Sequence, residues 1–137
     1  MSAARPVPPA NPSTEPYWEA ARRHELALQR CDVCGTRPFP PRATCPSCGS
    51  RALSWSPVSG RGTVHTFTVA YRAPHPGFAD RLPLVVALVD LDEGPRLTTN
   101  IVGCAPADVH IGLPVEVAFD NVDGTEVTLP VFRPREG

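Results

Sequence analysis

Two short cysteine turns constrain this chain more than anything else in it. Residues 31–35 read Cys31-Asp32-Val33-Cys34-Gly35 and residues 45–49 read Cys45-Pro46-Ser47-Cys48-Gly49, with ten residues between Cys34 and Cys45. A Cys-x-x-Cys turn puts two thiolates on one side of a tight bend. Two such turns supply the four soft ligands that a tetrahedral ion takes at about 2.3 Å from each sulfur. The glycine after each pair accepts a positive φ without steric cost, which lets amide N–H groups turn toward sulfur. Disulfides compete for the same cysteines, but they need an oxidising compartment, and residues 1–15 lack the apolar stretch of a secretory signal. The spacing therefore predicts a metal site held by Cys31, Cys34, Cys45 and Cys48 in a reducing, cytoplasmic setting. With four protein ligands it has no open position, so its role is structural rather than catalytic. Zinc is favoured over iron, which four thiolates also accept.

The rest of the chain is read relative to these knuckles. Pro6, Pro8, Pro9 and Pro12 make residues 1–12 an extended tail, or a linker from a fused upstream domain. Ser13 or Thr14 offers an N-cap, and a helix is expected from Glu15 to Glu25, with Tyr17, Trp18, Ala20 and Ala21 on its apolar side. Helix and zinc ribbon occupy residues 13–50. Leu26–Arg30 is expected to enter the first knuckle as a strand, and Thr36–Arg42 to return from it as another. A unit this small has almost no core, so the metal supplies much of its folding free energy.

From residue 51 onward the pattern is of strands and turns, in keeping with 18 Pro and 10 Gly in 137 residues. Ala52–Val58 alternates, Ser59-Gly60-Arg61-Gly62 bends the chain, and Thr63–Tyr71 is rich in β-branched and aromatic residues. Arg72–Leu82 is a loop. Leu84–Leu91 is a nearly continuous apolar run, read as a buried strand. Arg96–Val102, Val115–Phe119 and Glu126–Phe132 follow, with a hairpin turn at Asp123-Gly124. Five or six such strands predict a small antiparallel barrel of the oligonucleotide/oligosaccharide-binding (OB) type over residues 51–137. The expected fold class is mainly β: an N-terminal helix, a rubredoxin-like zinc ribbon, then an OB-fold barrel.

Charge narrows the function. All 13 basic residues are Arg. Residues 1–61 hold eight Arg against four acids, +4, and residues 62–137 hold five against ten, −5. A basic ribbon half suits phosphates, whether of a nucleic acid or of a nucleotide-like cofactor, or equally a solvated docking face. Single-strand binding needs a basic groove with stacking aromatics, and an acidic barrel half fits that poorly. Cys104 is the one cysteine outside the knuckles, with His65, His75 and His110 available as bases, but no spacing joins any pair. An independent acyl-CoA thioesterase using Cys104 is the weaker alternative, and a nucleic-acid-binding ribbon/OB module another. Asp90, Asp92 and Glu93 read as a solvated turn. No apolar run approaches the length of a membrane span.

Taken together, Tyr17-Trp18, Glu25-Leu26, Leu28-Gln29-Arg30-Cys31, Phe39-Pro40-Pro41-Arg42, Cys45-Pro46-Ser47-Cys48-Gly49, Ser59-Gly60-Arg61-Gly62-Thr63-Val64, Leu82-Pro83 and Gly112-Leu113-Pro114-Val115 carry a likeness. Over residues 15–134 the chain resembles the acyl-CoA-associated zinc-ribbon/OB-fold proteins, formerly a domain of unknown function. The resemblance implies a non-catalytic partner of a thiolase-fold or lipid-transfer-protein-like aldolase or thiolase, in CoA-thioester metabolism that includes steroid side-chain degradation. Some proteins it resembles are fused to MaoC-like hydratases. It carries over the four cysteines and no catalytic residue. Arg30, Arg37, Arg42 and Arg51 are then candidates to meet the phosphates of a CoA group shared with the partner. Tyr71, His75 and Phe78, in and beside the 72–82 loop, are candidates for partner or substrate-channel contact.

Overall fold

The computed structural model describes residues 12, 14–73, 75–122, 125 and 127–135. The expected tail up to residue 11, the Ser13 alternative for the cap, the Asp123-Gly124 turn and Glu126 lie outside them. Helix α1 spans Glu15–Arg22 and opens on the Thr14 carbonyl, which accepts from the Tyr17 and Trp18 amides at 3.0 and 3.3 Å. It stops short of the expected Glu25. His24 takes φ 60°, and the Arg23, His24 and Glu25 amides fold back onto the carbonyls of Ala20 and Ala21, each at 2.9 Å. A left-handed residue ends a helix this way, usually as glycine. Here the ring that glycine would lack stacks on Phe119, 5.1 Å between centroids and 11° between planes. Ala20 and Ala21 are fully buried, and Tyr17 lies 6.1 Å from Phe39, so the helix packs on its own molecule.

Strand β1, Ala27–Cys31, runs antiparallel to β2, Leu53–Pro57, from Ala27 opposite Pro57 to Cys31 opposite Leu53. The return strand expected at Thr36–Arg42 is therefore not one. Pro38, Pro40 and Pro41 leave that segment without the amide donors a ladder needs, and the pairing passes to Leu53–Pro57. Gln29 fastens the displaced loop instead. Its side-chain amide donates to the Arg42 carbonyl at 2.9 Å and its Oε1 accepts from the Arg42 amide at 2.8 Å, which satisfies a nearly buried side chain in both directions.

Strands β3 (Arg61–Ala70), β4 (Leu84–Leu91), β5 (Arg96–Ile101), β6 (Pro114–Asn121) and β7 (Thr128–Pro134) close into a barrel in the order β3-β4-β5-β7-β6. Neighbours are antiparallel except at the closure, where β5 and β7 meet in parallel through the pair Ile101 and Phe132. β4 is not buried on both faces. Val85, Ala87, Val89 and Leu91 point inward while Leu84, Val86 and Leu88 stay half-exposed, as a barrel strand with one lumen-facing side requires. Glycine is needed where β3 begins. Gly60 has φ +77° against Val117, and a Cβ on Gly62 would stand 2.6 Å from the Asp90 carbonyl.

Phe132, Val64, Val89, Val115, Leu97 and Ile101 form the barrel core, and Leu26 and Leu28 from the ribbon belong to the same cluster. The ribbon is thus seated by packing as well as by its cysteines. The joint between the two halves is fixed by an acid in the β4–β5 turn. Glu93 accepts from the Ser59 amide at 2.8 Å and from the Ser59 hydroxyl at 3.4 Å, and the Val58 amide donates to Leu26 at 2.8 Å. Arg37 donates to Ser56 at 3.2 Å beside it. Burial opposes ionisation of Glu93, but the Ser59 hydrogen bonds and the Arg37 charge outweigh it, so the carboxyl is held below its ordinary range. A depressed folded-state pKa stabilises the fold above the ordinary carboxyl range, and that contribution is lost as pH falls through the folded value. Glu93→Gln should therefore cost about 1 kcal/mol at neutral pH. Its urea-denaturation stability should also fall less steeply on acidification than that of the parent. Parallel pH profiles for the two proteins would show that Glu93 does not secure the joint.

Candidate metal centre

The knuckles are built alike. In the first, the Gly35 amide donates to the Cys31 carbonyl at 2.9 Å and the Cys31 amide to the Thr36 carbonyl at 2.8 Å. In the second, Gly49 donates to Cys45 and Cys45 to Ser50 at the same two distances. Gly35 and Gly49 both sit at φ +78°, the left-handed bend that the sequence leads one to expect after each pair. β1 delivers Cys31 into the site and the bend delivers Cys34; the second knuckle, reached from a loop rather than a strand, brings in Cys45 and Cys48.

All four Sγ atoms lie within 4.8 Å of one another. Cys31 to Cys48 and Cys34 to Cys45 are 3.6 Å apart, far beyond a disulfide's roughly 2.05 Å. A regular tetrahedron with metal–sulfur bonds of about 2.3 Å has edges of about 3.8 Å, so the cysteines are positioned for a metal ion. Cys31 and Cys45 are buried, Cys34 and Cys48 exposed. Donors surround the sulfurs. The Ser47 amide reaches Cys45 Sγ at 3.4 Å, and Thr36, 3.2 Å from Cys34 Sγ, holds that thiol down at about 6 through its hydroxyl and amide. Cys48 goes the other way. The Ser50 amide favours its thiolate, but desolvation and the three neighbouring sulfurs push it up to about 12. Four bare thiols this close cannot all ionise, whereas a divalent cation makes four thiolates compatible.

The other predicted residues are placed as follows. Arg30, Arg42 and Arg51 are exposed on the ribbon, while Arg37 is half-buried at the joint with Ser56. Tyr71 is 74% exposed, and the 72–82 loop contains a 3-10 helix, Pro76–Arg81, capped by His75 Nδ1, which accepts from the Gly77 amide at 2.9 Å. Cys104 is half-buried, and burial, with the nearby Asp108 charge, pushes its thiol up, away from nucleophilic use. His65 stands by Asp90 and Arg96, and His110 by the Asp108 carbonyl. Asp90 is held below its ordinary range by its 2.7 Å hydrogen bond from Arg96. Glu93, which the sequence reads as part of a solvated turn, and Gln29 find their partners only in the fold. Among the described residues no helix is long and apolar enough to cross a membrane.

Comparison with known proteins follows this division. The family model for the ChsH2 rubredoxin-like zinc ribbon domain matches residues 18–54, and that for the ChsH2 C-terminal OB-fold domain matches residues 55–120. The chain is 46% identical over 134 residues to the probable enoyl-CoA hydratase alpha subunit of Thermomonospora curvata, covering 96% of this chain but only 40% of that longer protein. It is 40% identical over 120 residues to a DUF35 domain-containing scaffold protein of Methanocaldococcus jannaschii, covering 83% of this chain and 84% of the relative. Among solved structures, a chain of the Ltp2-ChsH2(DUF35) aldolase superposes with a TM-score of 0.84 at 44% identity, over 93% of this chain and 98% of that one.

Removal of the metal should act on the ribbon first. With a strong chelator, amide hydrogen exchange is expected to accelerate across residues 27–57 before it does in β4 and β5, and Cys45→Ser should bind no stoichiometric metal by elemental analysis. Unchanged exchange after verified metal loss would refute a structural role for the ion.

Proposed function

Since the chain belongs to the DUF35 family of zinc-ribbon/OB-fold proteins, to which the ChsH2 domains also belong, we propose that it is a non-catalytic partner subunit. It docks on and supports a thiolase-fold enzyme, an aldolase or thiolase, that acts on CoA thioesters. The observation that carries this reading is the likeness, over 93% of this chain and 98% of the other, to a chain of an aldolase complex. The name of the archaeal relative, a scaffold protein, supports the same role. The site chemistry agrees. A four-thiolate centre has no position for substrate, and the Cys104 thiol is pushed away from ionisation while His65, His75 and His110 are engaged elsewhere. The acyl class follows the family resemblance: steroid or lipid side chains.

In this reading Cys31, Cys34, Cys45 and Cys48 hold zinc rather than iron, in a reducing cytoplasm, and keep the basic ribbon rigid. Arg30, Arg42 and Arg51, exposed on the ribbon, and the half-buried Arg37 meet the phosphates of a CoA group held mainly by the partner. Guanidinium forks suit such oxygens. The alternative nucleic-acid role has the −5 barrel half against it.

Affinity capture of the full chain from its host, with identification of the bound protein, should return a thiolase-fold enzyme. Salt-sensitive recovery of nucleic acid, or acyl-CoA hydrolysis by the isolated chain that Cys104→Ala abolishes, would replace the proposal. In the reconstituted complex, Arg30→Glu with Arg42→Glu should weaken CoA-thioester binding about tenfold, close to 1.4 kcal/mol. Undiminished affinity would remove the arginines from the ligand path.

A further inference from the structure

At the end of the barrel away from the β4–β5 turn, the starts of β4 and β7 and the ends of β5 and β6 surround a cavity of about 330 Å³. The 3-10 helix Pro76–Arg81 contributes Phe78 and Arg81 to it. Phe78, Leu84, Val85, Ile101, Leu129 and Val131, with Cys104 beside them, supply the apolar part of the wall, and polar groups supply nearly as much of its surface. Asn100 donates to the Val85 carbonyl at 3.0 Å, and Arg81 pairs with Asp120 at 3.6 Å.

The volume lies at the lower end of small-molecule sites, ~300–1,000 Å³. It is roughly twice the ~150 Å³ that accepts benzene, which leaves room for a guest of about ten heavy atoms. Charge selects further. Arg81 repels a cation, Asp120 repels an anion, and the pair sums to zero. Arg81 still has N–H groups to give to a neutral oxygen, since a guanidinium carries five.

We propose that this cavity is a binding site for an uncharged aliphatic or alicyclic molecule of about ten heavy atoms, with one carbonyl or hydroxyl oxygen directed to Arg81. The site contains none of the four knuckle cysteines, but Phe78 belongs to the 72–82 loop that the sequence offers for partner or substrate-channel contact.

Cys104 provides the readout, because its alkylation by iodoacetamide, located by mass spectrometry, reports occupancy in the metal-loaded full chain. With 2-octanone as the probe at ten times its dissociation constant, the rate should fall about tenfold. Octanoate at the same concentration should leave it unchanged, and Leu129→Trp, which fills the space, should remove the protection. If that variant is not folded by circular dichroism, amide shifts of the parent chain on adding 2-octanone take its place, and they should centre on residues 84–85, 100–104 and 129–131. No slowing at the solubility limit, equal protection by octanoate, protection that survives in folded Leu129→Trp, or shifts centred elsewhere would each overturn the site.

Discussion

Four sulfurs within 4.8 Å of one another cannot all carry charge unless a cation stands among them, and the geometry of the N-terminal third follows from that. The bends at Gly35 and Gly49, the amides folded onto the cysteine carbonyls and the donors near sulfur all serve to bring like charges together. An ion held by all four cysteines would have no position left for substrate, which is why the functional question passes to surfaces.

Around that fixed point the chain is held by two different forces. Apolar packing seats β1 in the barrel through Leu26 and Leu28, whereas directional bonds set the angle between ribbon and barrel through Ser59, Glu93 and Val58. Packing tolerates small rotations; a carboxylate that takes both the amide and the hydroxyl of one serine does not. A joint of the second kind would keep the ribbon at one angle in the docking proposed above.

Much of this was legible in the sequence where the signal is local. The cysteine spacing identifies the four residues that meet, and alternation or apolar runs locate β3 to β7 to within a few residues, because a strand's own side chains record its two faces. The return strand was not legible. Pairing is a relation between distant segments, and three prolines veto Thr36–Arg42 only when the competing partner at Leu53–Pro57 is in view. Glu93 read as a solvated turn for the same reason, since its partner is 34 residues away. The early end of α1 depends on His24 adopting a conformation that favours glycine, which the Phe119 ring rewards from another part of the fold. The cavity exists only where four strand termini converge.

The common core has a consequence for how such a module moves between proteins. Leu26 and Leu28 are covered by barrel side chains, and β2, which completes the ribbon's sheet, lies beyond the second knuckle. A ribbon cut out just after Gly49 would keep its four ligands yet lose its second strand and lay two leucines open to water. Recombination that preserves the fold must carry ribbon and barrel together. On this view the unit of inheritance is the pair, and the metal site travels with the barrel rather than as a separable finger.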